Sequence, residues 1–229
     1  MTSRVLPELQ RYLEKRDETD EEIRIPVAEG ISAVVQALPM EARMAHESSL
    51  LMALAQILRS KDQHTRDLTR LTICNIAASA GIDALPTVVK ELRRALQRGP
   101  QLHVLAFTVH AILVRLAADP EKVDFDGSLA ELVPVLGDDC FGTPSKDRAS
   151  QEFRAKTKFR EVRSYKSLDS FQLLAQTISP GKISVLLAPI RDLLQRTESP
   201  KALKEVDEVF KRLALDRKST RLNSSHHPD

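Results

Sequence analysis

One stretch of this chain combines residue types that can bind nucleic acid. From Lys146 to Lys166 it carries eight lysines and arginines against three acidic residues, although the 229-residue chain has a net charge of only +2. Lysine and arginine neutralise phosphates, and rings interleaved with them can stack on unpaired bases. The candidate RNA or partner contacts are Arg154, Lys156, Lys158, Arg160, Arg163 and Lys166, with Phe153, Phe159 and Tyr165 as the interleaved rings.

Two other interpretations of this basic stretch stay open. It can be a solvated insertion whose rings anchor it to the rest of the fold, or it can contact an acidic protein partner. The first alternative differs from RNA binding in what the rings do. They pack inside the protein if they are anchors, whereas they face outward if they stack on bases.

The other polar residues form no recognisable catalytic or cofactor-binding pattern. The chain lacks a phosphate-binding glycine loop, a zinc-binding HExxH and a GxSxG nucleophile motif. His103 and His110 are seven residues apart, so we expect packed or hydrogen-bonded roles rather than a metal site. Cys74 and Cys140 have no metal or redox spacing, and Asp138–Cys140 is interpreted as a helix end followed by a solvated loop. We therefore expect no enzyme activity, cofactor, metal or small-molecule substrate.

The elements that must position the basic stretch are helices, and the clearest pair lies in residues 84–118. The first helix has an apolar face that includes Val88 and Leu92, whereas the second is apolar on most of its surface. Gly99 and Pro100 form a short corner between them. Such a pair cannot bury its own apolar surface, so it needs stacked copies on both sides, as in an α-solenoid.

Recurring prolines indicate those copies. Their separations of 32, 47, 48 and 55 residues include two close to the HEAT period of about 40–47 residues. We therefore predict an all-α fold, an α-solenoid of about five HEAT-type helix pairs over residues 1–215, with one long basic insertion over 137–166. The prolines follow apolar residues and are Pro7, Pro39, Pro86, Pro134 and Pro189.

The predicted pairs besides the central one are Pro7–Lys15 with Glu22–Leu38, Met40–Leu58 with His64–Ala80, Ser128–Leu136 with Ser167–Ile178, and Ile183–Arg196 with Pro200–Leu215. Pro26 is expected to bend its helix. In the helix that begins at His64, Leu71 is assigned to the buried stripe, together with Leu68, Ile76 and Ala77. Arg66 follows a short polar turn at the start of that helix, a place where HEAT units often carry a basic residue.

Composition and the two ends of the chain add further expectations. Two cysteines without a disulfide pattern favour a reducing compartment, and no apolar run approaches the roughly 20 residues of a membrane span. Residues 216–226 resemble the conceptual translation of a sequencing adapter, so we expect Asp216–Asp229 to be a disordered tail without function. The natural chain is then expected to continue past Leu215 with a different sequence, and His226 and His227 need no metal.

Four segments resemble one protein family. They are Arg59–Ala77, Glu91–Leu113, Asp138–Gly142 and Lys158–Ile178, and they resemble the down-regulated-in-metastasis family, also called the U3 small nucleolar RNA-associated protein 20 family. The resemblance covers most of residues 1–215 but only a small slice of a family member's length. Cys140 stands where an aliphatic residue is expected and Leu168 where tyrosine is usual, and neither change affects the solenoid prediction.

The resemblance implies a role without catalytic residues. Members of this family are very large HEAT-repeat subunits of the small-subunit processome, so the chain is expected to be part of a nucleolar scaffold in pre-ribosomal RNA processing. Other processome proteins are the implied partners, and pre-rRNA or small nucleolar RNA are candidate partners through the basic insertion. The helices alone support a broader alternative, a HEAT adaptor of another system such as nuclear transport or phosphatase scaffolding.

Overall fold

The chain is built from α-helices and short 3-10 turns, as a computed structural model describes it for residues 2–15, 21–118 and 123–223. Within these ranges the prediction of an all-α fold is confirmed. The helices are α1 (Thr2–Leu13), α2 (Glu21–Arg24), α3 (Val27–Gln36), α4 (Met40–Ile57), α5 (Gln63–Ala80), α6 (Leu85–Ala95), α7 (Pro100–Leu116), α8 (Leu129–Phe141), α9 (Thr143–Ala149), α10 (Gln151–Lys156), α11 (Arg160–Arg163), α12 (Ser167–Thr177), α13 (Ile183–Leu186), α14 (Ala188–Arg196) and α15 (Pro200–Asn223).

Most of the longer helices lie in two layers that follow the order of the chain. In one layer α4 packs on α6, α6 on α8 and α8 on α14. In the other, α3 packs on α5, α5 on α7, α7 on α12 and α12 on α15. Across the layers α4 contacts α5, α6 contacts α7, α8 contacts α12 and α14 contacts α15, while α1 packs on α3. A helix in the middle of the chain therefore has neighbours in its own layer and in the facing one.

The central pair α6 and α7 follows the sequence pattern closely. Val88 and Leu92 of α6 are buried, and α7 is covered by α5, α8, α11 and α12 as well as by α6. Val114, which the pattern places among the apolar residues of α7, is exposed. Gly99 lies in the corner with a φ of 51°, a conformation that side chains with a Cβ rarely adopt, and Pro100 is the first residue of α7.

Helix α5 buries most of the predicted stripe but not Leu71. Ile76 and Ala77 are buried as expected, but Leu71 is 57% exposed. The polar residues Arg66 and Arg70 are buried instead. The cause is tertiary, because these arginines meet a carboxylate from a distant part of the chain.

Proline divides the second predicted helix instead of bending it. Helix α2 ends at Arg24 and α3 begins at Val27, with Pro26 between them at a φ of −63°. Proline has no N–H to donate, and its ring collides with the preceding turn, so a break here is physically expected. The side chain of Arg24 donates a 2.6 Å hydrogen bond to the Leu13 carbonyl, which joins the broken helix to α1.

The predicted insertion over 137–166 is folded rather than a solvated loop. Its first five residues belong to α8, and α9, α10 and α11 follow in it. Asp138–Cys140 lie at a helix end as expected, since α8 ends at Phe141, but the expected solvated loop is wrong, because α9 folds back on α8 and Asp139 and Cys140 are buried. Helix α11 then packs on α7.

Helix α15 extends past the end of the predicted repeat segment. It continues to Asn223, so the expectation of a non-helical tail from Asp216 is wrong for residues 216–223. Backbone hydrogen bonds propagate along an existing helix, and this stretch contains lysine, arginine and leucine, which favour helix. Residues 224–229, including His226 and His227, lie outside the described residues.

The two-layer core gives a matched test of burial. Leu105→Ala should lower the free energy of unfolding by about 2–5 kcal/mol, since it leaves a cavity beneath α7. Leu71→Ala removes the same atoms from an exposed position and should cost no more than about 0.5 kcal/mol. Urea denaturation followed by circular dichroism measures both. Equal losses would contradict the burial of Leu105 and the exposure of Leu71.

Candidate functional site

The basic insertion is held to the helical layers by a buried ion-pair cluster. Glu161 of α11 lies between two arginines of α5, at 3.1 Å from Arg66 and 2.5 Å from Arg70. Arg66 is 1% exposed and Glu161 is 2% exposed. The Nη1 atom of Arg66 also donates to the carbonyls of residues 60, 61 and 62, each at 3.0 Å. Glu161 therefore completes a buried cluster that also contains the backbone carbonyls of the turn before α5.

The electrostatics of Glu161 follow from this geometry. Burial alone would raise the pKa of its carboxyl group, because an ion loses its hydration inside a protein. The hydrogen bond from Arg66 and the positive charges of Arg66 and Arg70 outweigh that effect and lower the pKa of Glu161 to about 2. The side chain is accordingly a carboxylate at neutral pH.

Aromatic rings surround the same cluster. The Arg66 guanidinium lies 4.0 Å from the centre of the Phe159 ring, and the Arg70 guanidinium lies 4.6 Å from that of Phe107. Arg160 lies 5.3 Å from the Phe107 ring and donates to Asp67 at 2.8 Å. Arginine over an aromatic face is favourable, and more so away from water. Phe159 and Arg160 therefore add to the attachment of α11.

A second junction attaches α9 and the start of α12 to α8. Arg148 pairs with the Asp139 carboxylate at 2.5 Å, and its guanidinium lies 4.0 Å from the centre of the Tyr165 ring. Ser167 donates its hydroxyl hydrogen to the other oxygen of Asp139. Burial raises the pKa of Asp139 despite the opposing charge of Arg148. Burial likewise raises the pKa of the Cys140 thiol to about 12, so this thiol is not a reactive thiolate.

The two histidines occupy different environments. His103 is buried beneath the insertion, 5.9 Å from the Phe153 ring between ring centres, and neither ring nitrogen has a hydrogen-bond partner among the residues that the structure describes. Burial, assisted by the charge of Arg148, lowers the pKa of His103 to about 4. His110 contacts the Ser170 hydroxyl at 2.9 Å.

The three predicted rings lie against the protein's own side chains. Phe153, Phe159 and Tyr165 are each half-buried, and their neighbours are a histidine and two arginines. These contacts use ring surface that base stacking would need. The placement favours rings that hold the insertion in position.

The predicted cations divide into two groups. Lys156 pairs with Glu152 at 2.5 Å, Arg160 with Asp67 at 2.8 Å and Lys166 with Asp169 at 3.1 Å. The second group consists of Arg154, Lys158 and Arg163. These side chains are exposed, and no carboxylate of the described residues pairs with them.

Sequence reasoning singled out Arg66 but missed its partners Arg70 and Glu161. Glu161 is one of three acidic residues in the basic stretch, and nothing in its neighbouring residues indicates that it is the one buried. Across the residues that the structure describes, no group of three His, Cys, Asp or Glu side chains could hold a metal ion.

The length and hydropathy of the described helices bear on whether one of them could span a membrane. None of them is by itself long and apolar enough, and Gln63–Ala80 with Ile82–Ala95 meets the requirement only as a pair bent by 118°.

Fold and site together define an all-α protein with a folded basic insertion. Residues 14–215 match the family described as the U3 small nucleolar RNA-associated protein 20 domain. The Schizosaccharomyces pombe U3 small nucleolar RNA-associated protein 20 is 32% identical over 215 residues, which are 94% of this chain and 8% of that protein. The Saccharomyces cerevisiae protein of the same name is 32% identical over 209 residues, which are 91% of this chain and 8% of that protein.

The chain belongs to the U3 small nucleolar RNA-associated protein 20 family. The resemblance seen in the sequence is thereby confirmed. The chain spans 8% of the length of the two relatives, and the matched family region ends at Leu215, where the predicted repeat segment also ends.

Removal of the Glu161 charge tests whether the buried ion-pair cluster attaches the insertion to α5. Glu161→Gln should lower the free energy of unfolding by about 3–5 kcal/mol, because it leaves two buried guanidinium groups without their shared counter-charge. Glu152→Gln makes the same chemical change in an exposed pair with Lys156 and should cost less than about 1 kcal/mol. Urea denaturation at neutral pH measures the difference. Two equally mild variants would rule out the buried cluster as an attachment.

The same cluster should make the free energy of unfolding depend on pH in the acid range. The pKa of Glu161 falls from an ordinary value of 4.5 to about 2 on folding, so its stabilisation is complete above pH 4.5 and is lost as the pH falls towards 2. The stability difference between the wild type and Glu161→Gln should therefore shrink across this interval. Urea midpoints measured at successive pH values give the difference directly. A difference independent of pH would contradict the assignment.

Proposed function

We propose that the chain is a solenoid of HEAT-type helix pairs that serves as a scaffold segment. The pairs are α1 with α3, α4 with α5, α6 with α7, α8 with α12, and α14 with α15. Support comes from the packing, because successive pairs from α4 and α5 onward contact one another within both layers, and the first pair contacts the second through α3. Stacked pairs of this kind provide long surfaces on which partners assemble.

The proposed setting is the nucleolus of the cell nucleus. We place the segment in a subunit of the small-subunit processome, where it supports pre-rRNA processing and biogenesis of the small ribosomal subunit. The observation that carries this proposal is the 32% identity with the two U3 small nucleolar RNA-associated relatives over more than 90% of the chain. The role needs no catalytic step, cofactor or small-molecule substrate. Its partners are other processome proteins.

The proposed RNA contact is the exposed part of the folded insertion. Arg154, Lys158 and Arg163 are available to pre-rRNA or small nucleolar RNA because they are exposed and no described carboxylate neutralises them. Phe153 and Phe159 serve in this proposal as anchors, since each already contacts a side chain of α5 or α7. The insertion thus offers positive charge on a surface that is held in place.

Recovery of RNA with the full-length protein that contains this segment tests the function. The tagged wild type should enrich U3 small nucleolar RNA and small-subunit rRNA precursors, measured by quantitative reverse transcription. Substitution of Arg154, Lys158 and Arg163 by glutamine should reduce that recovery, because phosphate contacts are lost.

Lys90, Arg98 and Arg196 provide the matched control, since they are exposed and their substitution by glutamine removes the same charge. This control should recover RNA like the wild type. A wild type that recovers neither U3 RNA nor processome proteins would refute the scaffold assignment. Equal recovery by the insertion variant and the control would refute only the RNA contact.

A further inference from the structure

The unpaired cations of the insertion include two that share one surface cleft. Arg154 of α10 and Arg163 of α11 line a cleft of about 330 Å³ together with Gln151 and Ala155. No carboxylate of the described part of the chain lines it, whereas Asp138 and Asp192 line the cleft between α8 and α14. This cleft therefore carries two positive charges and an amide that can donate hydrogen bonds.

We propose that the Arg154–Arg163 cleft binds a phosphate group of single-stranded RNA, with both guanidinium groups on the same phosphate. This inference rests on the proposed RNA contact and specifies its chemistry. Guanidinium groups bind phosphate oxygens through paired, charge-assisted hydrogen bonds, and two of them can share one phosphate. Recognition at the cleft depends on the RNA backbone rather than on the bases.

The two arginines are carried by backbone that is already fixed. Arg154 follows Phe153, whose ring lies beside His103 and whose N–H donates to the Ser150 hydroxyl oxygen at 3.2 Å. Arg163 lies two residues after Glu161, which is locked between the buried arginines of α5. The two short helices therefore need little rearrangement when a phosphate binds, which favours affinity.

The surroundings favour a strand of RNA over a phosphorylated protein. Lys158 lies on the same segment, is exposed and pairs with no carboxylate of the described residues. A strand with regularly spaced phosphates can therefore contact more than one cation. The nearby rings are occupied by internal contacts, which leaves the backbone as the part of the RNA that this surface can bind. A phosphopeptide would present one such phosphate and gain less from the additional charge.

A double-mutant cycle on the purified chain tests the shared phosphate. The probe is a fluorescent single-stranded oligouridylate, and its affinity is measured by anisotropy over a range of potassium chloride concentrations. Arg154→Gln and Arg163→Gln should each weaken binding by about tenfold, as expected for one lost charge-assisted contact. The double variant should lose much less than the product of the two, because the second change removes a partner of a phosphate already lost.

The salt dependence gives an independent readout. The slope of log affinity against log salt should become shallower by about 0.7 in the double variant, as expected for one single-strand phosphate. Additive losses would overturn the shared phosphate, and an unchanged slope would overturn phosphate binding altogether. The control is Arg98→Gln with Arg196→Gln, which removes two exposed arginines elsewhere and should leave affinity and slope unchanged. An equal loss in that control would also overturn the proposal.

Competitors identify what the cleft recognises. Inorganic polyphosphate should displace the oligouridylate from the wild type, since it presents phosphates without bases. A failure to compete would overturn backbone recognition, and a phosphoserine peptide that binds more tightly than the oligouridylate would overturn RNA as the partner. Unchanged circular dichroism and unfolding midpoints show that the variants are folded. Additive losses combined with normal RNA recovery by the full-length wild type would refute this inference and leave the proposed function intact.

Discussion

The buried pairing of Glu161 with Arg66 and Arg70 is the constraint on which the arrangement of the insertion depends. Two guanidinium groups inside a protein require a counter-charge, because hydrogen bonds to neutral groups do not by themselves offset the cost of burying their charge. Glu161 supplies it from a segment 95 residues away from Arg66. Asp67 accepts hydrogen bonds from Arg70 and Arg160 at the edge of the same cluster. The insertion is therefore a component of the folded layers and not an appendage to them.

This attachment separates the roles of residues that look alike in the sequence. Arg148 and Arg160 are neutralised by carboxylates and lie near rings, so they join elements of the protein to one another. Arg154 and Arg163 belong to the same basic stretch but face a cleft without acidic residues. Positive charge on this segment thus has two physical roles, cohesion inside and attraction of anions outside. Only contacts in three dimensions distinguish them.

The sequence could predict features governed by local periodicity. The pattern of α6 and α7 determines their corner and their buried faces, since apolar spacing and the Gly99–Pro100 turn act within a few residues. It could not predict α5 correctly, because Leu71 looks like a core residue while Arg70 looks like a surface one. In the structure Leu71 is exposed, whereas Arg70 is buried against Glu161, whose approach to α5 depends on the path of the intervening chain. The rings of the candidate site were indistinguishable from base-stacking rings for the same reason.

The sequence separation inside the buried cluster also affects how the protein is made. Chains are synthesised at about 5–20 residues per second, so Glu161 is added roughly 5–20 s after Arg66, given the 95 residues between them. During that interval Arg66 and Arg70 lack the one carboxylate that they share, and only local partners such as Asp67 are present. The face of α5 that later receives α11 stays in water until the insertion has emerged. The contact between α5 and α11 can therefore form only after Glu161 has been synthesised. The centre of the fold is completed later than the helices that precede it in the chain.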